Sequence, residues 1–252
     1  MGKLEGRVAL VTGGARGIGR GIALAFGGEG AHVGVNYTTH SDAAQRTVKD
    51  VQAMGVKAIA IQADVAEVED VQRMVETMIA QFGRIDILVN NAGICRQIPF
   101  TELTVEDFDR MIGVDLRGTF LCCKFVVPYM LKQGYGRIIN ITSQLAYKGA
   151  YNMAHYCAAK AGQVGLTKAM ATEFGNCGIL VNSIAPGPID TESWVASGST
   201  GEWERRKLAE VPLHRKGQVE EVAPAAVLLA ASPDGDYFQG QSLHPNGGDI
   251  MW

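Results

Sequence analysis

Apolar and polar residues follow two patterns that alternate along the chain. Short, nearly continuous apolar runs, typical of strands buried on both faces of a sheet, lie at residues 7–12, 32–36, 57–62, 85–90, 137–142 and 179–184, and a short last strand is predicted at 241–244. Between them, helical spacing is found at residues 18–26, 41–54, 68–82, 151–174 and 218–230, and over 104–132 as two helices or one bent helix. Ser41 is a predicted helix N-cap, and Gly30, Gly55 and Gly83 are predicted helix stops.

The regular alternation of strands and helices predicts the fold class. Parallel strands joined by helical crossovers form a doubly wound sheet with helices on both faces. We therefore predict one α/β, Rossmann-like domain over residues 1–252, with a parallel sheet of about seven strands. The least patterned segment, residues 190–216, is predicted to be a substrate loop or lid, because long irregular segments of compact domains are commonly functional or mobile.

Composition narrows the class of protein. The 252 residues include 31 glycines, 47% hydrophobic residues and 19% charged residues, and they carry a net charge of -3. Such a chain is expected to be globular, and the lack of a glycine period together with only 8 prolines excludes a collagen-like repeat. The slightly acidic balance argues against a nucleic-acid partner.

Neither a membrane segment nor a metal site is expected. The longest apolar runs are far shorter than the ~20 residues that cross a bilayer, and the N-terminal residues lack the apolar core of a secretion signal. We therefore expect a cytoplasmic protein without a membrane partner. The 5 cysteines are odd in number and show no C-x-x-C spacing, so neither a disulfide framework nor a bound metal is predicted.

A glycine-rich turn follows the first predicted strand. Residues 12–19 read T-G-G-A-R-G-I-G, and the chain then becomes helical. Glycine allows a tight turn and a close approach of backbone to a pyrophosphate, and a helix N-terminus supplies free N–H groups and the positive end of its dipole. The G-x-x-x-G-x-G spacing differs from the common G-x-G-x-x-G fingerprint, but its place at a strand–helix junction predicts dinucleotide binding.

The end of the second predicted strand bears on the choice of nicotinamide cofactor. A carboxylate there would bind the ribose hydroxyls of NAD(H) and repel a 2′-phosphate. This chain has Asn36 and Tyr37 followed by two threonines, and no acid. Arg16 in the glycine turn is suited to pair with a 2′-phosphate, which favours NADP(H). NAD(H) stays open, because Arg16 is also explained as a solvated loop residue.

Three polar residues later in the chain are candidates for catalysis. Tyr156 and Lys160 are four residues apart in a predicted helix and therefore share one face. A nearby ammonium lowers the pKa of a phenol from its usual value near 10 toward the working range, although exposed Tyr/Lys pairs are also common. Ser143 lies just past the fifth strand, at the carboxyl edge where open α/β sheets bind ligands.

Together these residues resemble the short-chain dehydrogenase/reductase family in its compact form. The resemblance runs from Arg7 to about Gly248 and rests on the glycine turn, N-N-A-G at 90–93, Ser143, Y-C-A-A-K at 156–160 and P-G at 186–187. It implies an oxidoreductase that transfers a hydride between NADP(H), or NAD(H), and a small-molecule carbonyl or secondary alcohol. Tyr156 would then be the general acid/base.

The resemblance also implies roles by position. Lys160 would lower the pKa of Tyr156 and hold the nicotinamide ribose, and Ser143 would orient the substrate oxygen. The predicted catalytic residues are thus Ser143, Tyr156 and Lys160. The predicted cofactor-binding residues are Gly13, Arg16, Gly17, Ile18, Gly19, Asn36, Tyr37, Asp64, Val65, Asn91, Gly93, Tyr156, Lys160, Ile189 and Thr191.

One position departs from the family pattern. Asp115 stands where the family usually has an asparagine that helps to hold a water molecule between the lysine and bulk solvent. A buried carboxylate near Lys160 is expected either to pair with it or to titrate against it. The departure puts the proton relay in doubt, and we expect an Asp115→Asn variant to keep or increase its activity.

The substrate is less well defined by the sequence. The candidate pocket residues suggest a hydroxylated or anionic small molecule, although polar loop residues commonly serve solubility alone. They are Cys95, Arg96, Gln144, Tyr147, Lys148, Asn152, His155, Trp194 and Trp203, with His155 interpreted as a surface or packing residue.

Two alternatives to a small-molecule reductase stay open. The resemblance also extends to 3-oxoacyl-acyl-carrier-protein reductases, in which arginines near the ends of two long helices dock the acidic carrier, whereas the corresponding stretches here, residues 131–135 and 175–178, offer Lys132 alone. The chain could instead bind NADP(H) as a regulatory ligand without turnover. By resemblance, the long helices at 104–132 and 151–174 imply a homo-oligomer, expected to be a tetramer.

Overall fold

A computed structural model of the chain describes residues 2–192, 194 and 201–251. Its centre is a sheet of seven parallel strands in the order β3-β2-β1-β4-β5-β6-β7. The strands are β1 (Val8–Val11), β2 (His32–Tyr37), β3 (Ala58–Gln62), β4 (Ile87–Asn90), β5 (Gly136–Ile141), β6 (Ile179–Ile184) and β7 (Ser242–Leu243). The single α/β, Rossmann-like domain predicted from the alternating pattern is therefore confirmed.

Helices cover both faces of this sheet. They are α1 (Gly17–Gly28), α2 (Ser41–Gln52), α3 (Val68–Phe82), α4 (Val105–Met111), α5 (Gly118–Gln133), α6 (Leu145–Lys148), α7 (Ala154–Phe174), α8 (Gly201–Glu210) and α9 (Val219–Ala230), with a π-helical segment (Ile112–Arg117) between α4 and α5. Among the described residues, no helix combines the length and the apolar character that crossing a membrane requires.

The central strands are buried on both faces, which explains their continuous apolar runs. On one face, side chains such as Val11 and Val33 pack with Ile22 and Phe26 of α1. On the other face, Leu10 packs with Met74 and the helices α3 and α5. Because both faces of each central strand are covered, its backbone N–H and C=O groups form hydrogen bonds with the neighbouring strands. These hydrogen bonds hold the register of the sheet.

The predicted elements agree closely with the structure, apart from the short helix α6, which was not predicted, and three further differences. Residues 104–132 form α4, the π-helical segment and α5, and π-helical turns are frequent at functional sites. The N-cap of α2 is His40 and not Ser41, which is the first helical residue. Gly83 does end α3 in a left-handed conformation, with φ of 76°.

The third difference concerns residues 190–216, which were predicted to be irregular. Residues Gly201–Glu210 of this segment form α8, while 193 and 195–200 lie outside the described residues. No residue of α8 is fully buried. A helix without a buried apolar stripe lacks the periodic signal from which helices are recognised in a sequence, so the pattern missed it.

A buried carboxylate organises the amino edge of the sheet. The side chain of Asp86 is fully buried and accepts a hydrogen bond of 2.9 Å from the backbone N–H of Val8 at the start of β1. Arg84 donates two hydrogen bonds to its other oxygen, at 2.5 and 3.0 Å, and Arg7 lies 3.5 Å from the same atom. The carboxylate therefore joins the beginnings of β1 and β4.

Replacing Asp86 with alanine should destabilise the fold. The Val8 N–H and two arginines would lose their acceptor, and an unsatisfied buried donor costs about 1–3 kcal/mol. We expect the midpoint of urea unfolding to fall accordingly. Asp234→Ala removes the exposed ion pair of Asp234 with Lys3 and should change the free energy of unfolding by less than about 1 kcal/mol. Equal effects of the two substitutions would contradict the role assigned to Asp86.

Candidate active site

The carboxyl ends of the central strands open into one cleft. The glycine turn follows β1, residues 91–93 follow β4, Ser143 follows β5 and Pro186 follows β6. A cavity of about 580 Å³ lies there. Its lining includes Ile18, Cys95, Ser143, Gln144, Leu145, Lys148, Met153, Tyr156, Pro188, Ile189, Thr191, Trp194, Trp203, Arg206 and Lys207. The fold thus brings residues from distant parts of the sequence to a single site.

The glycine turn has the shape of a phosphate cradle. Gly13 and Gly17 have positive φ values of 60° and 53°, which favour glycine. A Cβ atom on Gly19 would collide with the side-chain nitrogen of Asn91 and the carbonyl oxygen of Gly13. No side chain caps the N-terminus of α1, so the helix presents uncapped N–H groups at Ile18 and its neighbours. These residues fit the diphosphate of a dinucleotide.

Two predicted cofactor residues at the end of β2 differ in their surroundings. The side chain of Asn36 is buried and accepts a hydrogen bond from the N–H of Gly13 at 3.1 Å, while its amide donates to the carbonyls of Ile61 and Ala63. Asn36 therefore shapes the glycine turn from behind. Tyr37 is partly exposed at the strand end, and no carboxylate follows it before residue 42.

Arg16 stands at the N-cap position of α1 and its side chain is exposed. In the part of the chain that the structure describes, no carboxylate lies within ion-pair distance of its guanidinium. By contrast, Arg20, one turn further along α1, is paired with Asp50 at 2.7 Å. Arg16 is therefore available to an anionic ligand at the glycine turn.

The other predicted cofactor residues follow β3, β4 and β6 at the same edge of the sheet. Asn91 donates hydrogen bonds to the carbonyls of Thr12 and Gly13 at 2.9 and 3.1 Å. Asp64 is partly buried and accepts a hydrogen bond of 2.9 Å from the N–H of Ala66. The remaining four occupy strand or helix ends: Val65 is buried against Gly118, Gly93 faces Asp115, Ile189 is buried beside Gly217, and Thr191 lines the cavity.

The three predicted catalytic residues converge in the cleft. Ser143 and Tyr156 both line the cavity. Lys160 lies one turn after Tyr156 on α7, with its ammonium 5.6 Å from the centre of the phenol ring. It donates a hydrogen bond of 3.0 Å to the carbonyl of Ile141 at the end of β5. Their roles in catalysis stay predictions.

The pKa of Tyr156 differs from the expectation that Lys160 lowers it. Burial raises the pKa of the phenol well above its usual value, and the neighbouring Cys95 and Asp115 raise it further. The neighbouring hydroxyl of Ser143 has an opposite, lowering effect. The ammonium of Lys160, 5.6 Å from the ring centre, is itself paired with a carboxylate.

That carboxylate is Asp115, which the sequence already marked as unusual. Its side chain is fully buried in the π-helical segment, and one oxygen lies 3.1 Å from the ammonium of Lys160. The other oxygen accepts a hydrogen bond of 2.9 Å from the N–H of Ile94. Burial raises the pKa of Asp115, although Lys160 and this N–H both stabilise its charged form. Of the two expected behaviours, pairing is the one observed in the geometry.

A buried polar network that the sequence patterns did not reveal supports this pair. The amide of Gln163 on α7 donates to the hydroxyl of Thr119 at 2.6 Å and to the carbonyl of Asp115 at 2.8 Å. Thr167 accepts a hydrogen bond of 2.8 Å from Asn140 within β5. The only signal was Asn140 itself, a polar residue in the apolar run at 137–142. The network fixes α7, and with it Lys160, against the sheet.

The structure divides the candidate pocket residues into two groups. Cys95, Gln144, Lys148, Trp194 and Trp203 line the cavity. Arg96, Tyr147, Asn152 and His155 are not among its lining residues. His155 is 1% exposed, and its ring nitrogens have no hydrogen-bond partner among the described residues, which agrees with a packing role.

Comparisons with known proteins agree with this geometry. A family model described as enoyl-(acyl carrier protein) reductase matches residues 13–249. A 3-oxoacyl-[acyl-carrier-protein] reductase of Synechocystis sp. is 43% identical over 253 residues, which cover 100% of both chains. A protein of the same name from Staphylococcus epidermidis is 41% identical and covers 96% of this chain and 98% of its own.

Solved structures extend the likeness to the whole fold. A short-chain dehydrogenase/reductase from Serratia marcescens superimposes with a TM-score of 0.92 at 37% identity and covers 99% of this chain and 100% of its own. A short-chain dehydrogenase from Burkholderia cenocepacia, solved in complex with NADP, gives a TM-score of 0.91 at 33% identity and covers 98% and 99%. The sequence motifs, the cleft and these matches show that the chain belongs to the short-chain dehydrogenase/reductase family.

Proposed function

We propose that the protein is an NADP(H)-dependent reductase of small-molecule carbonyl compounds, or in the reverse direction a dehydrogenase of secondary alcohols. The observation that carries the proposal is the meeting of Ser143 and Tyr156 in one cavity, with Lys160 one helical turn after Tyr156 and beside an uncapped helix N-terminus that fits a diphosphate. When bound, a nicotinamide cofactor supplies or accepts the hydride.

The side chains of this cleft would manage the substrate oxygen. Ser143 donates a hydrogen bond to the carbonyl oxygen and holds it beside the phenol of Tyr156. In reduction, Tyr156 gives its proton to that oxygen as negative charge develops there. The ammonium of Lys160 stabilises the phenolate that remains. In oxidation, the phenolate takes the hydroxyl proton back.

NADP(H) is the cofactor that the site favours. The exposed Arg16 and the absence of a carboxylate at residues 36–41 both suit a 2′-phosphate. The structural relative from Burkholderia cenocepacia was solved with NADP, which supports the same choice. NAD(H) remains the alternative that the Arg16 experiment below distinguishes.

A 3-oxoacyl-[acyl-carrier-protein] reductase is the second candidate, since the curated relatives carry that name. Docking of an acidic carrier protein requires a basic surface beside the cleft. At the end of α5, Lys132 is the only basic residue of residues 131–135, and residues 175–178 after α7 contain none. A small-molecule substrate therefore ranks first.

Self-association is a further expectation that follows from the family. Phe120 and Leu131 of α5 expose large apolar side chains, with relative exposures of 46% and 43%. Exposed apolar residues along a long helix suit contact with another copy of the chain. A homo-oligomer, and a tetramer by resemblance, stays a prediction.

Tyr156→Phe should abolish most of the activity. Loss of a general acid/base lowers kcat by about 100-fold or more, whereas the binding of NADPH should persist. Absorbance of reduced nicotinamide, recorded with a panel of ketones and secondary alcohols, measures this. Tyr135→Phe, a change outside the cleft, is the control. If the Tyr156 variant matched the wild type on every substrate, the mechanism would be wrong, and no turnover by either protein would favour the regulatory alternative.

Arg16→Ala should weaken the binding of NADPH but not that of NADH. Loss of a charge-assisted contact to a 2′-phosphate should raise the KM for NADPH by about tenfold and leave the KM for NADH nearly unchanged. Arg20→Ala, whose side chain is occupied by Asp50, is the matched control on the same helix. A wild-type preference for NADH would overturn the choice of cofactor.

Asp115→Asn should retain or increase activity and shift its pH dependence. Because the carboxylate raises the pKa of Tyr156, its removal should lower that pKa. Alcohol oxidation requires the phenolate, so its rate should begin to rise at lower pH than in the wild type. Asp86→Asn alters a buried carboxylate at the opposite edge of the sheet and should leave the profile unchanged. A large fall in kcat would show that the carboxylate itself takes part in the reaction.

A further inference from the structure

A second buried charge cluster lies in the wall of the same cavity. The carboxylate of Asp249, near the end of the chain, is 1% exposed. It lies 2.7 Å from the ammonium of Lys148 on α6 and 2.5 Å from that of Lys207 on α8. Gln144, the residue after Ser143, also donates its amide to this carboxylate. Lys148, Lys207 and Gln144 all line the cavity.

The less exposed part of the cluster carries more positive than negative charge, because its second carboxylate, Glu210, is largely exposed. Two ammonium groups share the single carboxylate of Asp249, and the side chain of Lys207 is only 11% exposed. Glu210 approaches Lys207 at 3.3 Å and Lys148 at 3.8 Å, but its side chain is 62% exposed, so water screens its charge. Burial lowers the pKa of Lys207, and the neighbouring Lys148 adds to this effect. Another anion would relieve the repulsion between the two lysines.

The two lysines line the same cavity as Ser143 and Tyr156. Lys148 ends α6, a helix about 6 Å long that begins two residues after Ser143. The walls of the cavity also include apolar side chains, namely Leu145, Met153, Trp194 and Trp203. The rings of the two tryptophans lie 5.5 Å apart and bring α8 to the cavity. One cavity therefore offers a carbonyl site, an apolar wall and a cationic site.

We propose that Lys148 and Lys207, positioned by Asp249, bind a carboxylate of the substrate, so that the natural substrates are oxo acids or the corresponding hydroxy acids. The inference rests on the proposed reduction at Ser143 and Tyr156 and adds the chemical class of the molecule reduced. The carboxylate supplies the negative charge that the cluster lacks, and it orients the ketone toward the phenol.

A pair of substrate series tests the inference with the wild-type protein. Straight-chain oxo acids, with the ketone at increasing distance from the carboxylate, are each compared with their methyl esters in the presence of NADPH. For the best-fitting length, kcat/KM should be about tenfold or more higher for the acid than for the ester, because the ester lacks the charge. An ester that is reduced as well as its acid, at every length, would overturn the proposal.

Variants of the two lysines then distinguish a role in binding the substrate carboxylate from a role in packing α8. In Lys207→Met and Lys148→Met, the ratio of kcat/KM for the acid to that for the ester should fall by about tenfold, mainly through the KM of the acid. Lys207→Arg keeps the charge and should restore part of the ratio. Lys168→Met, at an exposed position on α7, should leave the ratio unchanged. If the lysines only hold α8 in place, both substrates will lose activity equally and the ratio will not move.

The same measurements distinguish this inference from the proposed function. If no ketone, acid or ester is reduced, the proposed function fails and the inference fails with it. If esters and neutral ketones are reduced but acids are not preferred, the reductase stands and the carboxylate site alone is wrong.

Discussion

All seven strands of the sheet run in the same direction, and this constraint places the chemistry of the protein. Parallel strands buried on both faces carry mostly apolar side chains along their length, and open α/β sheets bind their ligands where the strands end. At the carboxyl edge, the ends of β1, β4, β5 and β6 bring the glycine turn, residues 91–93, Ser143 and Pro186 to one cleft. At the amino edge, the buried carboxylate of Asp86 connects the beginnings of β1 and β4 through hydrogen bonds.

The cleft contains two clusters of charged side chains that differ in their ratio of positive to negative groups. Lys160 and Asp115 form an ion pair next to Tyr156, held by the polar network that runs through α7. Lys148 and Lys207 share one buried carboxylate, Asp249, while their other partner, Glu210, is largely exposed, and this leaves positive charge at the cavity wall. A charge without a buried partner of opposite sign, in a partly dehydrated cavity, attracts an anion more strongly than a paired charge does. In the proposed reaction, the pair of Lys160 and Asp115 acts on proton transfer at Tyr156, and the lysines beside Asp249 bind the substrate.

Much of the fold could be predicted because its signals are local. The strands are continuous apolar runs, and Gly83 ends α3 through a backbone conformation that other residues adopt rarely. The sequence pattern did not predict α8, because none of its residues is fully buried and it therefore lacks a periodic apolar stripe. It did not predict α6, because four residues are too few to show a helical period. The π-helical segment was also invisible in the pattern, since one widened turn hardly alters the spacing of apolar residues.

For the site, the sequence alone determined the glycine turn, the serine and the Tyr156/Lys160 pair, because each is a short motif whose spacing along the chain sets its geometry. It also singled out Asp115 as a position to explain. Only the tertiary structure decided that Asp115 pairs with Lys160, that Asn36 supports the turn from behind, and that Asp249 gathers Lys148 and Lys207 beside the cavity. These contacts join residues tens of positions apart in the sequence. The effect of a charged side chain depends on its burial and on its partners, and both are defined only after the sheet has assembled.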